Sequence, residues 1–178
     1  MSELHGNPIV VMGVQGCGKS TVGALIAQRL GYVFVDGDDL HSPTAKAKMT
    51  SGIALDDHDR APWLERVART IKQREEAGET LVVACSALKR KYRDWMREIV
   101  PHLVFVHLSG DQELIAGRLT RRNHEFMPAT LLDSQYETLE ELGSDEEGVV
   151  VDITISPDTV VEQILSELSH SEAIPTSA

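Results

Sequence analysis

The strongest chemical signal lies near the start of the chain. Gly13-Val14-Gln15-Gly16-Cys17-Gly18-Lys19-Ser20 has the spacing G-x-x-x-x-G-K-[ST]. Glycines at these positions let successive backbone N–H groups curl around one phosphate. The helix start that follows adds about half a positive charge. Lys19 is placed to bridge the β- and γ-phosphates, and the Ser20 hydroxyl to ligate magnesium. Val14, Gln15, Cys17 and Thr21 complete the loop and its exit. These residues imply ATP or another nucleoside triphosphate, with Mg2+ as its companion. They do not say what happens to it.

The carboxylates narrow the choice. The apolar run Leu81–Cys85 ends without an Asp, so the usual Walker-B acid is absent there. Acids follow the second apolar run instead, in Val35-Asp36-Gly37-Asp38-Asp39. One of Asp36 and Asp38 would hold magnesium, and the other would accept the proton of an attacking hydroxyl. A turn with a helix cap competes with that reading. Arg118, Arg121 and Arg122 gather at the end of a helical pattern. Arginines there suit a lid that stabilises charge on a transferring phosphoryl group. The basic run Lys89-Arg90-Lys91-Tyr92-Arg93 offers an anion site at Lys89, or only a solvated helix face.

These residues need a scaffold, and the hydrophobic pattern supplies one. Apolar runs at 8–12, 32–35, 81–85, 103–108 and 149–155 read as strands. Helical patterns occupy 21–30, 60–77, 88–99, 112–122, 128–141 and 157–168, with a polar, helical stretch up to about 51. Strands alternating with helices, each strand nearly all apolar, predict a parallel sheet covered on both faces. The chain reads as one domain over residues 1–170, with a lid near 118–127 and a frayed polar tail over 171–178. Leu142–Gly148 reads as an acidic surface turn.

The composition sets further bounds. The chain has 178 residues, which suits a single core, and a formal net charge of −11. Such a chain repels nucleic acid, so an anionic substrate must be caught by local donors. No apolar run approaches the ~20 residues of a membrane span. Two cysteines, Cys17 and Cys85, make no disulfide framework, and the expected setting is the reducing cytoplasm.

Four stretches beyond the phosphate loop resemble the gluconokinases, members of the shikimate-kinase-like P-loop group. They are DGDDLHSPTAKAKM (36–49), GIALDDHDRAPWL (52–64), ACSALKRKYR (84–93) and HEFMPATLLDSQYETLE (124–140). The resemblance runs from about residue 8 to about residue 155. It implies an α/β P-loop kinase fold with a five-stranded parallel sheet in the order 2-3-1-4-5. It implies transfer of phosphate from ATP to the 6-hydroxyl of D-gluconate, with magnesium, by a cytoplasmic homodimer. Asp36 then matches the magnesium-side acid and Asp38 the acid at the acceptor hydroxyl. Arg60 matches the clamp on the substrate carboxylate. His41, Lys48 and Lys89 match positions lining the sugar-acid pocket, and Arg118 and Arg121 match lid positions.

The substrate chemistry agrees with that assignment. Gluconate has one carboxylate, suited to a planar bidentate arginine, and a row of hydroxyls. His41, Ser86, His124 and Gln135 are candidates to read those hydroxyls. Trp63 reads as core. The departures from the family pattern are Gln15 and Cys17 in the loop, Ala45 where the family carries Asn, and Asn123 before His124. Cys17, next to a helix N-terminus and a bound cation, is expected to be an activated thiol open to alkylation. Two other readings compete: a kinase for another small acid such as shikimate or adenylylsulfate, and a nucleotide-gated binding module.

Overall fold

A computed structural model describes residues 6–53, 55–122 and 129–173. Five strands, β1 (Ile9–Met12), β2 (Val33–Asp36), β3 (Leu81–Ala84), β4 (Val104–Ser109) and β5 (Gly148–Asp152), form one sheet. Its order is β2-β3-β1-β4-β5, and every neighbouring pair is parallel. The three inner strands are buried almost throughout. This explains why their sequences are continuous apolar runs and do not alternate.

Helices α1 (Lys19–Leu30), α2 (Pro43–Thr50), α3 (Asp57–Glu76), α4 (Arg90–Ile99), α5 (Gln112–Arg122), α6 (Ala129–Thr138) and α7 (Pro157–Ala173) connect the strands. One core joins Val11, Val82 and Val106 of the sheet to Val22 and Ile26 of α1 and Ile164 of α7. The other joins Val10, Val83 and Phe105 to Leu64, Val67 and Ile71 of α3 and Met96 of α4. No helix among the described residues is long and apolar enough to cross a membrane.

Most boundaries fall within three residues of the sequence reading, and three differences are instructive. The polar stretch up to residue 51 divides into a 3₁₀ turn, Gly37–Leu40, and α2, whose N-cap Ser42 accepts from the Ala45 N–H. Helix α3 begins at Asp57, ahead of the predicted Arg60. A reciprocal capping box starts it: Asp56 accepts from the Asp59 N–H at 2.8 Å, and Asp59 accepts from the Asp56 N–H at 3.1 Å. Helix α7 runs on to Ala173, into the segment expected to fray.

The acidic turn 142–148 is also not purely a surface feature. The Glu146 side chain is 1% exposed and pairs with Arg93, which is 0% exposed. The Arg93 Nε donates to Glu146 Oε1 at 2.8 Å. Burial alone would raise the Glu146 carboxyl. Hydrogen bonds from Arg93, the Gly143 N–H and Arg97 outweigh it and hold the group at about 2, below its ordinary 4.5. Removing one partner of such a pair costs about 3–5 kcal/mol, because the other charge is left buried alone.

A depressed carboxylate stabilises the folded state above its unfolded value and loses that contribution as pH falls through the folded one. The melting temperature should therefore drop between about pH 5 and about pH 2. Glu146→Gln should lower it at neutral pH and flatten that acid limb. A calorimetric pH series on both proteins checks this, and parallel acid limbs would exclude Glu146 as the source.

Candidate active site

Strand β1 runs straight into the phosphate loop, and α1 leaves it. A side chain at Gly13 would not fit: its Cβ would lie 2.6 Å from the Cys17 sulfur and 2.9 Å from the Leu108 carbonyl. The Lys19 ammonium is folded over the loop, donating to the Gly13 and Val14 carbonyls at 3.0 Å each. The Ser20 hydroxyl donates to Asp36 Oδ2 at 3.1 Å. The other Asp36 oxygen accepts the Asp38 N–H at 3.0 Å. Asp36 thus caps the 3₁₀ turn and faces the loop at once, so the cap and site readings of this acid are compatible. Ser20, Thr21, Asp36 and Asp38 line a polar cleft over the loop, with Lys19 at its floor.

Lys19 and Asp38 also open onto a second cleft, where the structure brings together His41, Arg60, Ser86 and Gln135. Each comes from a different element. Gln135 projects from α6, and its side-chain carbonyl accepts the Gln15 N–H, tying that helix to the phosphate loop. Arg60 is buried on the first turns of α3. Its Nε donates to the Leu55 carbonyl at 3.1 Å, and its guanidinium lies 5.5 Å from the Tyr92 ring centroid. His41 stacks on Trp63 with centroids 3.9 Å apart. Burial, then the positive charge of Arg60, lowers the His41 pKa to about 4, so the ring is neutral at pH 7.

Trp63 is core, as its type suggested, but it also positions the site. Its indole N–H donates to the Gly37 carbonyl at 2.8 Å. Gly37 in turn sits so close to β3 that a Cβ there would meet the Ala84 carbonyl at 2.5 Å. The turn carrying Asp38 is therefore wedged between α3 and the sheet.

Two predicted pocket residues are not among the groups lining this cleft. The Lys48 ammonium is held by Asp59 at 2.9 and 3.0 Å. Lys89 donates to Asp57 at 3.2 Å, which Lys91 and the Tyr92 hydroxyl also reach. The hydrogen bonds from Lys91, Tyr92 and Lys89 push the Asp57 carboxyl well below the usual range. Asp59 of the capping box and Asp57, in the first turn of α3, thus engage these two lysines. Conversely, the sequence reading missed an apolar wall of Met49, Ile53 and Leu55, and also Ser134. Ile53 is 53% exposed. An apolar residue on a polar stretch was the one available signal.

Arg118 donates to the Ile153 carbonyl at 2.6 Å. With Thr21, Ile155 and Pro157 it lines a third cleft, beside the phosphate loop, between α5 and the turn before α7. The Arg121 side chain, His124 and residues 123–127 of the predicted lid lie outside the described residues.

Comparison with known proteins settles the ancestry of this arrangement. Residues 9–142 match a family model described as an AAA domain. The chain is 39% identical to a gluconokinase of Arabidopsis thaliana, covering 96% of each chain. It is 45% identical to a gluconokinase of Gluconobacter oxydans, covering 88% of each. The chain belongs to the gluconokinase family. A solved gluconokinase structure from Sinorhizobium meliloti superimposes with a TM-score of 0.86 at 42% identity, covering 96% of this chain and 98% of that one. The P-loop kinase fold is therefore shared along nearly the whole length.

One departure from the family loop behaves otherwise than expected. Cys17 is 1% exposed. Burial raises its thiol pKa, outweighing the neighbouring Lys19 charge. Position at a helix N-terminus suggested activation, but the sulfur points inward against Gly13. Cys85 is buried too, and burial pushes its thiol up to about 12. Neither thiol should react with a thiol-titrating reagent at pH 8 in the folded protein, and both should react after denaturation. Rapid native labelling of Cys17, located by peptide mass mapping, would contradict this.

Proposed function

We propose that this protein transfers the γ-phosphoryl group of ATP to the 6-hydroxyl of D-gluconate, giving 6-phospho-D-gluconate and ADP. The observation that carries the reading is the pair of clefts sharing Lys19 and Asp38. One is suited to a phosphate chain. The other offers a cation, a carboxylate, a hydroxyl and an amide to a small polyol acid. Membership of the gluconokinase family supports gluconate over shikimate or adenylylsulfate. An acceptor cleft joined to the phosphate cleft argues against a module that only binds nucleotide.

In this reading Gly13 to Thr21 cradle the triphosphate. Lys19 exchanges its two carbonyl contacts for phosphate oxygens. The third cleft takes the nucleotide base between Arg118 and Pro157. Ser20 and Asp36 are the pair to hold magnesium, since their oxygens already lie 3.1 Å apart and hard oxygen donors suit that ion. When bound, the ion neutralises charge on the phosphates. Arg60 clamps the acceptor carboxylate. Neutral His41, Ser86 and Gln135 orient the hydroxyls, with His124 a further candidate. Asp38 orients the 6-hydroxyl and takes its proton late, because a loose transition state asks little of the base. Arg118 and Arg121 serve the lid, whose closure excludes water. Lys48 and Lys89 act at the rim by fixing Asp59 and Asp57. We infer a cytoplasmic homodimer; two buried free thiols suit a reducing compartment.

The test is coupled ADP release with Mg-ATP and a panel of gluconate, shikimate, glycerate and adenylylsulfate. Gluconate alone should stimulate strongly; stimulation by another acid would move the acceptor assignment, and stimulation by none would favour the binding module. Asp38→Asn should lower kcat by about 10²-fold or more with ATP binding retained, and near-normal kcat would remove Asp38 from proton transfer. Arg60→Lys, which loses the bidentate fork, should raise the gluconate KM more than it lowers kcat.

A further inference from the structure

The loop between β3 and α4 contains a backbone oddity. Ala87 has φ 42, alone among the described non-glycine residues in the left-handed region. It is fully buried, so its surroundings must impose that conformation. The Arg93 guanidinium holds the carbonyls of the two peptide units that follow it. Its Nη1 donates to the Ala87 carbonyl at 2.9 Å and the Leu88 carbonyl at 3.2 Å. Its Nη2 donates to the Glu141 carbonyl at 3.3 Å and to Glu146 at 3.1 Å. Arg97 Nη2 donates at 2.7 Å to Glu146 Oε1, the oxygen that also accepts from Arg93 Nε.

The residues held this way frame the acceptor cleft. Ser86, just before the strained turn, lines it. The Ser86 carbonyl accepts the Gly13 N–H at 3.3 Å, at the start of the phosphate loop. Just after the turn, the Leu88 carbonyl accepts the Glu140 N–H at 2.7 Å. The Glu140 carboxylate caps the Arg90 N–H at 2.8 Å. Glu140 follows α6, the helix that carries Gln135 into the same cleft. One buried guanidinium therefore joins two walls of the acceptor site without touching the cleft itself.

We propose that Arg93, locked by Glu146, is a positioning residue for the acceptor. It holds the left-handed turn at Ala87 and thereby sets Ser86 and the end of α6 in register with the phosphate loop. This rests on the reading of that cleft as the gluconate site. All five guanidinium N–H groups are satisfied, and three of them go to carbonyls of the two segments that follow Ser86 and α6. Lysine keeps the charge but lacks the planar fork that serves these directions together.

The experiment compares Arg93→Lys and Glu146→Gln, each alone and with Ala87→Gly added, by steady-state kinetics and by hydrogen exchange over residues 85–89. Arg93→Lys should lower kcat/KM for gluconate by about tenfold or more, with a smaller change in affinity for an ATP analogue, because small displacements of positioning groups are costly. Exchange at 85–89 should quicken. Ala87→Gly should restore part of the loss, since glycine adopts the left-handed conformation without a side-chain penalty. A merely structural role would lower the melting temperature, quicken exchange through the chain as a whole with no excess at 85–89, and leave the kinetic constants of the folded fraction unchanged. That result would overturn the proposal, as would failure of Ala87→Gly to recover any activity. If Arg93→Lys does not fold, Glu146→Gln carries the same comparison. Wild-type protein inert toward gluconate would overturn the functional reading alone, because the exchange measurement needs no acceptor and still decides the clamp.

Discussion

Parallel strand pairing is the constraint on which the site depends. In a sheet whose strands all run one way, every strand delivers its outgoing loop to the same edge. Strands β1, β2 and β3 are neighbours in space but far apart in sequence. Their exits supply the phosphate loop, the acidic turn after Asp36, and Ser86. Burial on both faces keeps these runs inside the sheet, since an uncovered face would expose continuous apolar surface. The chemistry is thus positioned by the least polar part of the molecule.

The electrostatics are local and work against the global field. A chain with net charge −11 has no general attraction for a triphosphate or a sugar acid. Cations are instead concentrated and, in part, already engaged. Lys19 rests on loop carbonyls, Lys48 on Asp59, and Lys89 on Asp57. Arg60 is fastened through its Nε and laid against Tyr92. Arg60, which lines the cleft, is thereby held in one orientation before any ligand arrives, which reduces the entropy lost on binding.

Much of this was legible in the sequence. The five apolar runs gave the strands and the phosphate motif gave the first helix start, because both signals are local. The gathering of Asp38, His41, Arg60, Ser86 and Gln135 around one cleft followed from the family stretches more than from spacing. What escaped was direction. Lys48 and Lys89 stand in those stretches, but a long flexible side chain goes to the nearest carboxylate, and Asp57 and Asp59 are brought near only by the fold. Glu146 looks like every other acid in its turn; its burial follows from Arg93, a partner 53 residues away. Cys17 sits where a thiol is usually activated, yet desolvation outweighs the nearby charge.

The apolar wall, the stacked histidine and the buried Arg60 all fall within residues 41–60, between the acidic turn and the body of α3. The groups that would handle the triphosphate lie elsewhere, at 13–21 and 36–38. The segment 41–60 is fastened to the sheet side of the site by Trp63, whose indole holds the Gly37 carbonyl, while Asp38, Ser86 and Gln135 complete the same cleft from outside it. A substitution within 41–60 can therefore reshape one side of that cleft without touching the loop that would cradle the phosphates.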